Sequence, residues 1–217
     1  MSVDEKKESE YKEFVKTAWQ KAINLKDGEF TTNKQIDIAI DTNGYNHKIK
    51  NVFFRHIYKH HGNEKTERKR SQIAITENDF SVIPKMLESP AFVIKNIKFY
   101  DQKRILFAKH IDHKTYIYVA QTSDKKHHHF WVTFFKLDQQ KEVSDILKTL
   151  RNSQDYDLSE IEIINKAGSG GNPTDATLTK QRSAAAKSAY PADTSLSTSP
   201  AEKSSGDNLV DNLAVII

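Results

Sequence analysis

The chain contains no cysteine among its 217 residues. Disulfide bonds, thiolate metal ligands and a cysteine nucleophile are therefore excluded. The sequence also lacks any apolar run that approaches the roughly 20 residues of a membrane-spanning helix, and its charged first residues do not resemble a secretory signal. We therefore expect a soluble protein without a membrane partner, which acts in the cytoplasm of its own cell or of a cell into which it is delivered.

The motifs of several common enzyme classes are absent as well. The sequence has no phosphate-binding P-loop, no GxGxxG dinucleotide fingerprint, no GxSxG nucleophile elbow and no HExxH zinc motif. Nucleotide hydrolysis, dinucleotide binding and serine hydrolase chemistry are therefore without support in this sequence.

What the sequence does contain is a group of histidines inside a basic stretch. All nine histidines lie between His47 and His129. Residues 45–136 carry 18 Lys and Arg against 8 Asp and Glu, a net charge of +10, whereas the whole chain carries +4. Imidazoles exchange protons near neutral pH, so their concentration in a positive field suits chemistry on a polyanion.

The hydrophobic pattern predicts an α+β protein in which N-terminal helices precede a four-stranded antiparallel meander. The expected helices span 8–26, 50–61, 76–89 and 142–150, and a short strand is expected at 35–40. The strands of the meander are expected at 92–98, 104–111, 115–120 and 127–137. We expect three units, which are an N-terminal helix and short strand at 1–44, an α+β domain at 45–165 and a disordered, low-complexity tail at 166–217.

The predicted helix 50–61 places several imidazoles near its C-terminal end. His56 and His60 share a face, and His56 and His61 lie five residues apart. The negative end of the helix dipole favours their protonated forms. One acid and one base are the minimal equipment for metal-independent RNA cleavage, in which a base removes the 2′-hydroxyl proton and an acid protonates the leaving oxygen. The alternative is that these are surface histidines, or that His56 is a hydrogen-bonded core residue.

The last predicted strand has two different faces. Strict alternation puts His128, Phe130, Val132 and Phe134 on one face, which we expect to pack on helices. The other face then carries His127, His129, Trp131, Thr133 and Phe135. A mixture of imidazole, indole and hydroxyl suits contact with bases and phosphates, since aromatic rings stack on unpaired bases. The alternative is a strand with two half-buried faces that begins in solvent.

Two further groups could contact a metal or a polyanion. His56 and His60 have the spacing of zinc ligands, and His127 and His129 could converge on them, but the surrounding positive charge opposes a dication. The basic residues that follow the helix either contact phosphates or form a solvated linker. Among them Arg68 and Arg70 are the better phosphate ligands, because a guanidinium binds phosphate with two parallel donors.

Four motifs, taken in order, resemble a known family. They are HIYKHHG at 56–62, QIAIT at 72–76, DFSVIP at 79–84 and a last-strand threonine followed by aromatics, TFF at 133–135. This order is similar to that of the barnase–EndoU–colicin–RelE-like (BECR-fold) nuclease domains of phage and mobile-element polyvalent proteins. The resemblance covers roughly residues 45–137 and agrees with the predicted order of helices and strands.

The resemblance implies a metal-independent endoribonuclease without a cofactor, in a toxin- or effector-like protein whose substrate is RNA such as tRNA or mRNA. An inhibitor or immunity protein is the expected partner. By position, His56, His61 and Thr133 match the family's catalytic residues, and either His60 or His61 is the second acting histidine. The residues that we expect to bind substrate are Arg68, Arg70, Gln72, Lys109, His129 and Trp131. The rival functions are a non-catalytic nucleic-acid or partner-binding module and a zinc-dependent enzyme.

Overall fold

A computed structural model of the protein describes residues 3–25, 34–41, 44–153 and 155–165. The disordered tail expected at 166–217 lies outside these residues. The helices are α1 (Val3–Asn24), α2 (Asn51–His61), α3 (Glu64–Arg68), α4 (Val82–Glu88) and α5 (Val143–Asn152), with 3-10 turns at Glu77–Ser81 and Asp124–Lys126. The strands are β1 (Gln35–Ile40), β2 (Asn46–Lys50), β3 (Gln72–Ile73), β4 (Phe92–Phe99), β5 (Gln102–Ile111), β6 (Lys114–Ser123), β7 (His128–Leu137), β8 (Tyr156–Asp157) and β9 (Glu162–Asn165).

The strands form one mostly antiparallel sheet with the order β1-β2-β7-β6-β5-β4-β8, in which β3 also pairs with β7 and β9 with β4. The α+β class is confirmed, and the four meander strands β4 to β7 form the centre of the sheet. The prediction of a four-stranded sheet is wrong, because the sheet has nine strands among the described residues. The strand expected at 35–40 is β1, which forms a local hairpin with β2. The pairings of β2 and β3 with β7 and of β9 with β4 join segments distant in sequence, which local periodicity cannot reveal.

The outer edge of β7 is shared between two short strands and a helix. β2 runs parallel to residues 128–130 of β7, and β3 runs antiparallel to residues 136–137. α2 begins at the residue after β2 ends, so its axis continues along the interval between the two pairings. The last turn of α2 therefore lies against the middle of β7.

A β-bulge in β7 changes which residues face the helices. Ala120 of β6 lies opposite Trp131 and Val119 lies opposite Thr133, so Val132 is the extra residue. The bulge puts Trp131 and Phe134 in the same hydrophobic core, although they are three positions apart, an odd spacing that strict alternation would place on opposite faces. The predicted helix-facing set that joined His128 and Phe130 to Phe134 is therefore wrong, because one extra residue inverts the alternation.

Both faces of the sheet are covered by hydrophobic packing. On one face α1, α2 and α4 pack over Trp131 and Phe134, and the aromatic rings of Trp19, Phe54 and Phe80 fill the space between them. On the other face α5 packs its apolar side on β6 and β7, through Ile146, Leu147 and Leu150. The described helices include none that is both long and apolar enough to span a membrane.

A buried carboxylate joins the 3-10 turn before α4 to the sheet. The side chain of Asp79 accepts hydrogen bonds from the Thr76 amide at 2.7 Å, from the Tyr116 hydroxyl at 3.0 Å and from the Lys136 ammonium at 2.9 Å. Thr76 and Asp79 thereby form a capping box at the start of the helix expected from residue 76. Burial alone would raise the pKa of Asp79, but the hydrogen bonds from Lys136 and Thr76 lower it below its ordinary value.

Replacing Asp79 by Asn is expected to lower the free energy of unfolding near neutral pH by about 3–5 kcal/mol, because the Lys136 ammonium stays buried without its partner. The carboxylate stabilises the fold fully above the unfolded pKa of about 4, and this contribution is lost as the pH falls through the lower folded pKa. Denaturant unfolding of wild type and Asp79→Asn should therefore converge below about pH 4. The control is Asp101→Asn at an exposed position. A difference that stays constant down to the lowest measurable pH would contradict this account.

Candidate active site

The turn after α2 brings a carboxylate back to the histidines at its end. Gly62 terminates α2, and a Cβ atom on this residue would lie 2.5 Å from the carbonyl oxygen of Tyr58. Only glycine therefore fits this close approach. Asn63 then caps α3 by accepting a hydrogen bond from the Thr66 amide at 3.1 Å. The result is a helical hairpin in which Glu67 of α3 faces His61 of α2.

His61 lies between a carboxylate and a hydroxyl. Its Nδ1 is 3.0 Å from Oε2 of Glu67, and its Nε2 is 3.3 Å from Oγ1 of Thr133 in β7. All three residues are almost completely buried. Since an ionised carboxylate can only accept, Nδ1 carries the proton that is donated to Glu67. Nε2 is then directed at the Thr133 hydroxyl, so the three residues form a carboxylate–imidazole–hydroxyl chain.

The guanidinium of Arg70 balances the negative charge of the buried Glu67 carboxylate. Its Nη1 donates to Oε1 of Glu67 at 3.2 Å and to the carbonyl oxygen of His60 at 3.2 Å. The Arg70 side chain is 29% exposed, whereas that of Glu67 is fully buried. The guanidinium is therefore the cationic group that connects the buried chain with solvent.

His56 stands beside His61 in an apolar environment. Its ring centroid is 4.4 Å from that of His60 and 6.3 Å from that of His61. Its buried Nε2 has no hydrogen-bond partner among the described residues. Burial, followed by the charges of His60, His61 and Lys59, lowers the pKa of His56 to about 3. The expected preference for the protonated form is thus overturned, because burial outweighs the helix dipole.

A cationic cleft of about 310 Å³ opens beside Arg70. It lies between the end of β7 and α5, and its charged lining residues are Arg70, Lys141, Asp145 and Lys148. Three cations against one carboxylate make the cleft attractive to a phosphate backbone. Arg70 lines the cleft and also contacts Glu67, so this residue links the cleft to the buried carboxylate–imidazole–hydroxyl chain.

The structure brings together four of the site residues expected from sequence, namely His56, His61, Thr133 and Arg70. Gln72 is buried in β3 opposite Leu137, close in sequence to Arg70. The roles of all five residues stay predictions.

The other four lie elsewhere. Arg68 is mostly exposed and pairs with Glu64 on its own helix. Lys109 lies on β5 and donates to Ser89 at 2.8 Å. His129 lies at the N-terminal end of β7, four positions before Thr133. Trp131 is fully buried against Phe53, Phe54 and Phe80, so the expectation that it stacks on bases is not retained.

Sequence reasoning assigned no role to Glu67 and missed the two lysines of the cleft. Glu67 is among the residues that carry the family resemblance, but it lies in a segment interpreted as a charged linker, and nothing in the sequence pairs it with His61. Lys141 and Lys148 had no signal, because they lie outside the basic stretch and reach the site only through the packing of α5.

An α+β sheet that holds a carboxylate–imidazole–hydroxyl chain beside a cationic cleft has the equipment of a nucleic-acid hydrolase. Residues 26–144, more than half of the chain, match the model of a family described as phage-Barnase-EndoU-ColicinE5/D-RelE like nuclease3. The chain belongs to this nuclease family, and the resemblance seen in the four motifs is confirmed. No curated protein and no solved structure matches the chain.

The titration of His56 tests the arrangement of the imidazoles. Wild-type His56 is expected to stay neutral down to about pH 3, because burial and its cationic neighbours oppose protonation. A His60→Gln variant should raise the pKa of His56, yet leave it below the usual value of about 6.5 because burial persists. Histidine ring resonances followed by NMR report both values.

The control for this titration is His113→Gln in the exposed β5–β6 turn, which should leave His56 unchanged. Titration of wild-type His56 near pH 6.5 would show that the ring is not buried as described.

Proposed function

We propose that the protein is a metal-independent endoribonuclease with His61 as its central catalytic group. The observation that carries this proposal is the position of His61, whose two ring nitrogens contact Glu67 and Thr133. In hydrolytic enzymes of unrelated folds, a carboxylate holds a histidine in one tautomer and so directs the other ring nitrogen at a reacting group. The arrangement of Glu67 and His61 is similar. The family supports a nuclease, and RNA is our inference from the chemistry of the site.

The reaction that suits these groups uses the 2′-hydroxyl of RNA as nucleophile. A base removes the 2′-hydroxyl proton, the 2′-oxygen forms a bond to phosphorus, the bond to the 5′-oxygen breaks, and an acid protonates that oxygen. Neutral His56 is the base in this scheme. The acid is His61 when it carries a proton on both nitrogens, since Glu67 stabilises the resulting positive charge and Nε2–H lies beside Thr133, where the phosphate is proposed to bind.

The remaining groups stabilise the charge that develops on the phosphate. Arg70 can bind two phosphate oxygens through its planar guanidinium, and the Thr133 hydroxyl can donate to a third. Such donors are most effective where water is excluded, as it is around the buried His61 and Thr133. A bound phosphate also places negative charge near His56, which offsets the repulsion that disfavours its protonation.

Substrate reaches the carboxylate–imidazole–hydroxyl chain from the side of Arg70. His61 and Thr133 are almost completely buried, whereas His60 and Arg70 are partly exposed. A small displacement of these two side chains therefore admits a phosphate. The cationic cleft beyond Arg70 then accommodates the adjacent part of a single strand, whose phosphates contact Lys141 and Lys148.

The family description names phage, colicin and RelE, and these names support a proposal about the biological setting. We propose a toxin- or effector-like protein of a phage or mobile element, with tRNA or mRNA as target and an inhibitor or immunity protein as partner. The alternative function is a nucleic-acid-binding module without catalytic activity, and the cleavage assay described next distinguishes the two.

Purified protein in excess EDTA is expected to cleave a labelled single-stranded RNA to products with a 2′,3′-cyclic phosphate. His61→Ala should lower the rate by about 10²–10⁴-fold, because it removes a general acid–base catalyst. Thr133→Val should also be impaired, whereas Thr133→Ser keeps the hydroxyl and should retain most of the activity. Gel electrophoresis of the products gives the rates.

Two controls accompany the cleavage assay. The His113→Gln variant should match wild type, and an oligonucleotide with 2′-deoxyribose throughout should remain intact because it lacks the nucleophile. Binding of RNA without cleavage by any variant would overturn the enzymatic proposal, and cleavage of the deoxy substrate would overturn the mechanism.

The cleft makes a separate prediction about binding. In an inactive His61→Ala background, Lys141→Gln combined with Lys148→Gln should weaken RNA binding and reduce the slope of log K against log salt by about 0.7 for each lost phosphate contact. The matched control replaces the exposed Lys125 and Lys126 by Gln. Fluorescence anisotropy at several salt concentrations measures both pairs, and equal losses in the two pairs would remove the cleft from the binding surface.

A further inference from the structure

A second group of histidines lies at the N-terminal end of β7. His47 of β2, His129 of β7 and Asp41, the residue that follows β1, are all buried. One ligand atom from each lies within 4.8 Å of the other two. The parallel pairing of β2 with β7 sets His47 directly opposite His129, so both imidazoles project from the same face of the sheet. None of the three contributes to the chemistry proposed for His61.

The distances within this cluster fit a metal site better than a pair of charge-assisted hydrogen bonds. Oδ2 of Asp41 is 3.3 Å from Nε2 of His47 and 3.4 Å from Nε2 of His129. A hydrogen bond from a charged imidazole to a carboxylate is usually about 2.7–2.9 Å. Two ligands bound to zinc at about 2.0–2.1 Å with tetrahedral angles are about 3.3–3.4 Å apart, which matches both contacts.

The outer nitrogens and oxygens of the cluster are already occupied by neighbours that orient them. Nδ1 of His47 contacts the Tyr118 hydroxyl at 3.2 Å, and Nδ1 of His129 contacts the Thr122 hydroxyl at 3.2 Å. Oδ1 of Asp41 accepts the amide of Tyr45 at 3.1 Å. Metal-bound histidines and carboxylates regularly have such outer partners, which fix the ligand atom toward the ion.

We propose that Asp41, His47 and His129 form a binding site for a divalent first-row transition metal, with zinc as the preferred ion. Two imidazoles and one carboxylate are ligands of the type that zinc accepts, with a fourth position left for water. The aromatic ring of Tyr45 stacks on His129 with centroids 4.5 Å apart and covers the site.

The ion would add a direct link between β7, β2 and the residue that follows β1. β2 and β7 pair over only three residue positions, and Asp41 lies beyond the end of β1. Because β2 continues directly into α2, occupancy of the site stabilises the segment that carries His61. Thr133 is four positions along β7 from His129, roughly 13 Å away at 3.3 Å per residue, so the ion does not touch the catalytic groups.

The test uses the full chain after removal of metals by dialysis against a chelator. Titration with Zn²⁺ followed by calorimetry should show one tightly bound ion per chain, and a hundredfold excess of Zn²⁺ over its Kd should raise the Tm by about 5–10 °C. His129→Gln should weaken this binding at least 100-fold. The matched control is His128→Gln, which changes the preceding, less buried histidine of the same strand and should bind Zn²⁺ like wild type.

Two further measurements keep the proposal testable if His129→Gln fails to fold. X-ray absorption of zinc-loaded wild type should show only nitrogen and oxygen ligands at about 2.0–2.1 Å. His56→Gln should leave Zn²⁺ binding intact, since the competing pair His56 and His60 is not the site. Loss of binding in that variant, or no binding and no change in Tm with wild type, would overturn the proposal and leave Asp41, His47 and His129 as a hydrogen-bonded network.

Discussion

The outer edge of β7 is the constraint on which the candidate site depends. β2 pairs with the first residues of this strand and β3 with its last residues, so the middle of the edge is left to the end of α2. An edge that is neither paired nor covered exposes backbone donors and acceptors. The last turn of α2 covers it here, and this brings His61 into contact with Thr133. The site is thus a consequence of how the sheet edge is closed.

Buried charge is handled in the same way at two places in the fold. Glu67 accepts from His61 and Arg70, and Asp79 accepts from Lys136, Thr76 and Tyr116. A buried carboxylate without such partners would be costly. The difference lies in what the partners can do. Lys136 offers only donors, whereas the second ring nitrogen of His61 stays available to the Thr133 hydroxyl while the first contacts Glu67.

Local patterns predicted the helices and the meander strands because each depends on neighbours in sequence. The capping box at Thr76 and the helix end at Gly62 belong to this class. The bulge at Val132 could not be predicted, since an extra residue becomes visible only when β6 sets the register. The contact between Glu67 and His61 could not be predicted for a related reason. It forms only because the turn at Gly62 brings α3 back to the end of α2. Motif order identified the family, and only the fold showed which charged residues lie beside the motif.

The division of the histidines follows from their surroundings rather than from their number. His61 is held by a carboxylate on one nitrogen and by a hydroxyl on the other, which favours proton transfer. His47 and His129 direct their inner nitrogens at one oxygen of Asp41 and their outer nitrogens at hydroxyl groups, which favours an ion between them. The proton chemistry proposed for His61 and the metal site proposed at His129 therefore use different imidazoles, which contact β7 at its middle and at its N-terminal end.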